Sequence, residues 1–527
     1  MTRNPADMPQ KIQQYTGRTW QFVLAFGLLG GLGVRLFLAA STHTPGQWDA
    51  AFYYTVAKNI VLGRGLVIDY IWHYINGPTP LTHYSSDFWH PLTSYLIALP
   101  MSVLGISPFN AILSSIAAGF GIALVSYKLG KVFGLPANTR VMATILAFFA
   151  PYAIQTSVTT DSIIFFGLAS ITMLYWLAKS RKEPRYFLLA ALASGLGHLT
   201  RQDGVLLLAT ILTCILLAPL PLMRKLTFGI GVVGIHLTIL SPLLIKNYQE
   251  MGFFLPPGPP TTRFLTEHDD VYAYGKTFTF QTYLQTFGWV GILKNKMQTA
   301  VFHIQQAYAV LNPGFVVLGT VALVYLVFKE KNREKLRFFL PVLIYAAYTY
   351  GFYIFIASFA LFSAQKSLVT IIPFISILIM DFATQRLRYR PLLIGLFLGL
   401  TFYLGLQGYV RAAWANAHYD ATYASMRATQ PLILEDTQKR GEEPSSIIVM
   451  THDPWHYYEA TDWSTLMIPN NDLATILSVA NNYHASYLIL PAPRPALDAI
   501  YNGETEDPRL EYLGTIDEQK IYRFHLP

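Results

Sequence analysis

Two aspartates and a set of scattered cations carry the residue types needed for chemistry between a hydroxyl and a phosphate ester. Asp49, in Trp48-Asp49-Ala50-Ala51-Phe52-Tyr53-Tyr54, opens a helical pattern that runs through Asn59 to Gly63-Arg64-Gly65. A carboxylate there either caps the helix, accepting free backbone N–H groups at the positive end of the dipole, or serves as a general base. Asp161, in Thr159-Thr160-Asp161, and the run Arg201-Gln202-Asp203-Gly204 each precede an apolar stretch. An ionisable group at bilayer depth costs roughly 2.5–3.5 kcal/mol at the centre and less at the edge, so such groups are expected to be paired or functional. Capping or a local Arg201–Asp203 pair is the alternative. Lys246, Arg263, Lys276 and Lys366 add positive charge. Attack of a hydroxyl on a glycosyl phosphate needs a base for the incoming O–H and cations for the departing phosphate. It needs little general acid, because phosphate already leaves as a stable anion.

Other clusters are less specific. Residues 79–92 combine His83, Asp87, Trp89 and His90 with Pro91; aromatic residues at a membrane interface usually anchor it. His83, His90 and Asp87 could ligate a metal, but their spacing matches no established ligand motif. No cofactor is required by this chemistry, with a divalent metal as the open alternative. His452-Asp453-Pro454 and His456 read as a strand-end turn rather than a site, and the one cysteine, Cys214, reads as a buried structural thiol.

These residues need a scaffold, and the composition says of what kind. Over 527 residues the chain is 53% hydrophobic and only 13% charged, whereas soluble domains carry about 25% charged residues. The net charge of +8 is spread in short clusters between apolar segments and not gathered into a groove-sized patch, which argues against nucleic acid as a partner. Apolar stretches near the ~20 residues that span a bilayer run over 20–41, 108–127, 141–157, 162–178, 186–199, 204–222, 226–245, 299–328, 338–362, 368–382 and 391–409. A further run, 91–104, is short.

Whether 91–104 crosses decides the sidedness of all that follows. Lys and Arg mark cytoplasmic loops. If the short run lies in the interface or dips in and returns, every basic cluster is cytoplasmic: Arg3/Lys11/Arg18, Lys128/Lys131/Arg140, Lys179 to Arg185, Arg224/Lys225, Lys329 to Arg337, and Arg386/Arg388/Arg390. If it crosses, the rule fails repeatedly. The expectation is therefore an all-α polytopic domain of about eleven spans in a cytoplasmic membrane, with the N-terminus inside and the C-terminus outside. Its divisions are a cytoplasmic stretch 1–19, a membrane domain 20–410 with outer loops 42–107 and 246–298, and an extracytoplasmic domain 411–527. In that last part, 446–450, 487–490 and 521–524 read as strands and 472–483 as a helix, which makes a small α/β domain. Arg35, inside the first span, is expected to snorkel or to pair with an outer acid.

The order of motifs resembles the GT-C superfamily of glycosyltransferases, in particular the branch of protein O-mannosyltransferases and aminoarabinose transferases. The matching pieces are Trp48 to Tyr54, Gly63-Arg64-Gly65, His90-Pro91-Leu92, Thr160-Asp161, Leu199 to Gly204, Pro242 to Tyr248, and Lys366-Ser367 ahead of Pro373. The resemblance implies an inverting transfer of a sugar from a polyprenyl-phosphate donor to a hydroxyl of a lipid, glycan or protein. It makes Asp49 the base or acceptor-positioning residue and Asp161 its acidic partner. Lys366, with Arg201, Lys246 or Arg263, is assigned to the donor phosphate, and Tyr53, Tyr54, His83, Asp87, His90 and Asp203 to positioning the substrates. Ala50 follows Asp49 where the protein mannosyltransferases have a second acid, and Lys246 and Lys366 stand where arginines are common; lysine offers a point charge and not a bidentate fork. A transporter or a non-catalytic lipid-binding scaffold is the alternative.

Overall fold

The computed structural model describes residues 10–77, 79–328, 333–358, 362–387 and 389–526. Arg3, Lys329, Lys331 and Arg388 of the charge pattern, and the side chains of Lys11, Arg18 and Arg333, lie outside the described residues.

After α1 (Gln10–Ala40), the stretch 42–107, expected as the first outer loop, folds into α2 (Trp48–Val61), the two-residue strands β1 (Val67–Ile68), β2 (Tyr70–Ile71) and β3 (His83–Tyr84), and α3 (Leu92–Leu104). At 13 residues, α3 is about 20 Å long and too short to cross ~30 Å of hydrocarbon. The bundle continues with α4 (Pro108–Phe133), α5 (Ala137–Phe148), α6 (Pro151–Ser157), α7 (Ile163–Ser180), α8 (Tyr186–Thr200), α9 (Val205–Leu217) and α10 (Leu222–Met251). A loop with the single turn α11 (Gly258–Thr261) leads to α12 (Phe280–Leu311), α13 (Pro313–Phe328), α14 (Arg333–Gly351), α15 (Leu368–Arg386) and α16 (Arg390–Ala428).

Among the described residues seven helices are long and apolar enough to cross a membrane, and α12 with α13, bent by 106°, would make an eighth. Against the expected spans, the helices take a different form in three places. The stretches 186–199 and 204–222 fold as the shorter apolar helices Tyr186–Thr200 and Gln202–Leu217. Residues 141–157 break into α5 and α6; Pro151, at the start of α6, disfavours helical conformation in Ala150 and supplies no N–H. The single span at 299–328 is the bent pair, and its first helix begins well upstream at Phe280, with a kink at Gly288 where φ is +60°. Only glycine adopts such a backbone cheaply. α7 and α15, each 72% buried over their most apolar window, form the centre of the bundle, whereas α1 and α10, at 22%, offer most of their surface outward.

Arg35 shows how the break in α5–α6 is tolerated. It is fully buried, and neither expected fate, snorkelling or pairing with an acid, is realised. Its Nε donates to Ser157 Oγ at 2.7 Å, one terminal nitrogen to Gly31 O at 3.1 Å, and the other to Phe148 O at 2.7 Å and Ala153 O at 3.3 Å. The guanidinium also lies 3.9 Å from the centroid of the Phe148 ring. Carbonyls around the break thus find a donor in α1, as buried backbone oxygens must.

Beyond the bundle come α17 (Gln430–Lys439), α18 (Pro454–Thr461), α19 (Leu473–Asn482) and α20 (Asp498–Tyr501), with strands β4 (Ile448–Thr451), β5 (Ser464–Met467), β6 (Tyr487–Leu490), β7 (Leu510–Ile516) and β8 (Gln519–Phe524). They form a six-stranded sheet in the order β2-β5-β4-β6-β8-β7, parallel through the first four and antiparallel thereafter. β6 is buried at every residue, as a parallel strand covered on both faces should be. β5 and β7 are additions to the strands expected, and β2 belongs to the first outer loop, so one sheet joins that loop to the C-terminal segment. The 39-residue α16 passes through position 410 without a break.

Replacing Arg35 by Leu should leave several carbonyls unmatched. Since hydrogen bonds to charged groups contribute about 1.5–3 kcal/mol each and some carbonyls will find other donors, a loss of roughly 2–4 kcal/mol is expected. Thermal unfolding of the detergent-purified variant measures it; an unchanged midpoint would remove Arg35 from this role.

Candidate active site

Lys366 stands between the two aspartates. Its Nζ donates to Asp49 Oδ2 and to Asp161, whose Oδ2 and Oδ1 lie at 3.0 and 3.4 Å. Lys366 sits in the 3₁₀ turn Phe362–Ser367 that leads into α15, Asp161 in the turn between α6 and α7, and Asp49 in the first turn of α2. Three distant segments meet at one ammonium. Asp49 does not cap α2: Gln47 is the N-cap residue and makes no side-chain cap bond. Gln47 instead donates to Asp161 Oδ2 at 2.6 Å, and Ser162 donates to Asp161 Oδ1 at 3.0 Å. Thr160 Oγ1 donates to Ala50 O at 2.8 Å, which fixes the α6–α7 turn against α2. Burial pushes the Asp161 carboxyl up, but Lys366 and Arg201 outweigh it and hold the group below the usual carboxylate range.

Asp49 faces a cavity of about 500 Å³, also lined by Tyr53, His90, Arg201, Asp203 and Arg263. Arg201 and Asp203 make the local pair considered from their spacing, Nε to Oδ1 at 2.9 Å and a terminal nitrogen to Oδ2 at 3.2 Å, and both also reach the cavity wall. Tyr353 donates its hydroxyl to Asp203 Oδ2 at 3.0 Å. Burial alone would lower the Arg201 pKa, yet Asp203 and the tyrosine hydroxyls raise it well above its ordinary value, so the guanidinium stays charged. Burial pushes His90 down to about 4. Its neutral imidazole then donates from Nδ1 to His198 O at 2.5 Å. Arg263 donates from Nε to Pro260 O at 2.6 Å.

Six expected positions do not line this cavity: Asp161 and Lys366, which meet Asp49 in the ion cluster, and Lys246, His83, Asp87 and Tyr54. Lys246, on α10, is half-exposed, pairs with Glu250 one turn on at 2.5 Å and does not line the cavity. His83 and Asp87 stay together, at 3.7 Å, in a buried cluster where His73 approaches Asp87 Oδ2 at 3.2 Å; His90 turns away from them toward His198. Tyr54 is buried beside Glu459 and off the cavity wall. Conversely, Trp72, Trp455, Tyr272 and Tyr353 line the cavity and escaped sequence reasoning. For Trp455 the signal was the adjacent His452-Asp453-Pro454 motif. Asp453 caps α18, accepting from His456 N at 3.3 Å, and His456 Nε2 lies 2.8 Å from Gly46 O. That clamp holds Trp455 over the first outer loop.

The folded-state pKa of Asp161 is depressed, so its contribution to stability is complete above the unfolded value of about 3.9 and is lost as pH falls through the folded one. Asp161→Asn should therefore lower the unfolding midpoint at pH 7, and the deficit should shrink as pH drops below about 4. Thermal scans of the two proteins across that interval test it, and a deficit independent of pH would contradict the ion-pair account.

The family described as dolichyl-phosphate-mannose-protein mannosyltransferase matches residues 89–245. No curated protein matches the chain significantly. Among solved structures, ArnT from Cupriavidus metallidurans in the apo state superposes with a TM-score of 0.59 at 14% identity, covering 95% of this chain and 98% of that one. Its undecaprenyl-phosphate-bound form gives 0.57 at 14%, over 95% and 97%. The oligosaccharyltransferase AglB from Archaeoglobus fulgidus, in complex with an inhibitory peptide and a dolichol-phosphate, gives 0.57 at 13%, over 90% and 69%. The chain shares its fold with these proteins, and its segment 89–245 matches the dolichyl-phosphate-mannose-protein mannosyltransferase family model.

Proposed function

We propose that this protein is an inverting glycosyltransferase that moves a sugar from a polyprenyl-phosphate donor to a hydroxyl acceptor on the outer face of a cytoplasmic membrane. The observation that carries the reading is one cavity in which the Asp49 carboxylate, the Arg201 and Arg263 cations and apolar helix surface share a wall. Val205, Phe352 and Ile356 line that cavity and are 48%, 37% and 46% exposed. A lipid phosphate could thus sit at the cations with its isoprenoid chain leaving between α9 and the end of α14. The undecaprenyl phosphate of ArnT and the dolichol-phosphate of AglB are ligands of the same chemistry in the same fold.

In the proposed reaction the acceptor oxygen attacks the anomeric carbon from the side opposite the phosphate. Asp49 takes the acceptor proton as the new C–O bond forms. The bond from carbon to phosphate oxygen breaks with its electron pair on the phosphate, where Arg201 and Arg263 compensate the charge. Lys366 now holds both carboxylates. When an anionic donor draws its ammonium toward the phosphate, Asp49 is freed to accept a proton while Asp161 keeps Lys366 within reach. Every charge in this scheme belongs to the chain or the donor.

The transporter alternative calls for ionisable groups available near the membrane midplane. Arg35 is instead consumed by backbone carbonyls, and Lys335 pairs with Asp381 at 2.8 Å.

Asp49→Asn should lower transfer from polyprenyl-phosphate sugars by about 10²–10⁴-fold, the usual contribution of a general base, while leaving binding of sugar-free polyprenyl phosphate within a few-fold. Radiolabelled transfer and lipid-binding measurements on one preparation check both. Full transferase activity in the folded variant would sink the proposal.

A further inference from the structure

Helix α12 is amphipathic in the opposite sense to a helix in water. Beyond the kink at Gly288, Trp289, Val290, Leu293, Met297, Val301 and Ile304 are between 54% and 83% exposed. At 3.6 residues per turn they fall on one stripe about a third of the circumference wide. The opposite face carries Asn295, Lys296, Thr299, His303 and Gln306, none of them exposed. In a soluble protein the apolar stripe of a helix faces the core; here it faces away.

The inner face holds the turns that carry the cations of the site. Asn295 Nδ2 and Tyr283 Oη donate to Ser358 O at 2.7 and 2.8 Å, and Lys296 donates to Ala357 O, just past the π-helical turn Phe352–Ile356. Ser358 Oγ donates in turn to Thr262 O at 2.9 Å, beside Arg263, and Gln365, beside Lys366, donates to Gln306 at 3.0 Å. Phe355, on the turn against which α12 packs, is 70% exposed as well, and carries apolar surface from the stripe to the spans.

The bend that ends α12 is a built corner. Asn312, at a φ of +80°, a region that asparagine tolerates, accepts from Phe315 N at 3.1 Å and donates to Gln407 of α16 at 2.7 Å. Arg411 of α16 donates to Val310 O at 3.1 Å. Past the corner α13 packs along α15 in the centre of the bundle, so the 106° bend turns α12 nearly across the direction of the spans. Lys294, Gln298 and Gln305 are exposed and form a polar edge bordering the stripe along its length. A crossing helix would drag that edge through hydrocarbon, where a charged side chain is expensive. A helix lying in the interface keeps the edge among headgroups and water and the stripe among acyl chains.

We propose that α12, from Trp289 to Tyr308, lies in the plane of the membrane interface at the end of the bundle that holds the cavity, and that the bilayer covers its apolar stripe. The lipid surface then bears on the turns of Lys366 and Arg263 through the inner face of the helix. The placement stands apart from the glycosyltransferase reading; its consequence for donor binding rests on that reading.

Nitroxide depth measurements on the full chain in nanodiscs test the placement. Single labels enter through Val290→Cys, Leu293→Cys, Lys294→Cys, Val301→Cys, Ile304→Cys and Gln305→Cys, each combined with Cys214→Ala. The four stripe labels should share one depth and collide with oxygen dissolved among the acyl chains, and the two edge labels should collide with a water-soluble nickel chelate. A depth that changes steadily by about 20 Å from position 290 to 304, as a crossing helix requires, overturns the proposal. Stripe labels shielded from both reagents also overturn it, since a protein partner would then cover them. For the consequence, Leu293→Gln with Val301→Gln should weaken binding of sugar-free polyprenyl phosphate by about three- to tenfold, whereas Gln298→Ala, on the polar edge, should leave it unchanged. Equal affinity in the wild type and both variants overturns the link to the site. A wild type that binds no polyprenyl phosphate would instead overturn the donor reading, with the depth profile still deciding where α12 lies.

Discussion

A lysine ammonium beneath the membrane surface cannot stand alone, because the loss of hydration exceeds what isolated dipoles return. Lys366 meets that constraint with two carboxylates from segments far away in the chain, and much of the architecture follows from bringing them to it. Asp49 reaches it from the first turn of α2, which packs against α3 and α18. Asp161 reaches it from the buried turn between α6 and α7, which is held against α2 by Thr160 and Gln47. One ammonium against two carboxylates leaves excess negative charge, which Arg201 reduces from the neighbouring turn. In the proposed reaction the same interaction sets the resting chemistry: the Asp49 carboxylate is neutralised by the cation that a donor phosphate would recruit.

A second set of polar contacts keeps the lid of this site in place. β2 of the first loop pairs in parallel with β5 of the C-terminal segment. Nearby, Arg64 makes a two-pronged contact with Asp69, at 2.6 and 2.7 Å, and Tyr458 donates to the same carboxylate at 3.0 Å. Glu459 is buried against Thr55 at 2.6 Å with Lys58 3.7 Å away, and burial raises its pKa despite the lysine. These groups couple α2 to α18 by charge as well as by the sheet. A small movement of the C-terminal segment therefore shifts the helix that carries Asp49 and the indole that faces it.

Much of the ion triad was legible in the sequence. Asp49, Asp161 and Lys366 fall at the ends of apolar runs, and the charge pattern assigned those ends to one face; that they meet at one ammonium comes from the packing of distant segments and not from the sequence pattern. The break between α5 and α6 was also readable, since Ala150-Pro151 interrupts an otherwise apolar run, and so was the local fate of Lys246, four residues before Glu250 on one helix face. The indoles that line the cavity were not. Trp48, Trp72, Trp89 and Trp455 come from α2, two loop positions and the start of α18, with no period to connect them. β2 is two residues long and pairs with a strand nearly 400 positions later, so nothing local marks it. β5, Ser464-Thr465-Leu466-Met467, is short and weakly apolar at its start, and its burial is decided by the strands on either side.

The division of labour between lysine and arginine in the site follows from their geometry. Arg201 is anchored by two bonds to Asp203, a planar fork on a planar carboxylate, and is a fixed element of the wall. Lys366 holds its acids through a single rotatable nitrogen on a flexible stem, with donors that can exchange partners without breaking a planar match. An arginine at that position would lock both carboxylates more firmly. A residue that must neutralise a base at rest and release it when a phosphate arrives is better built from the ammonium.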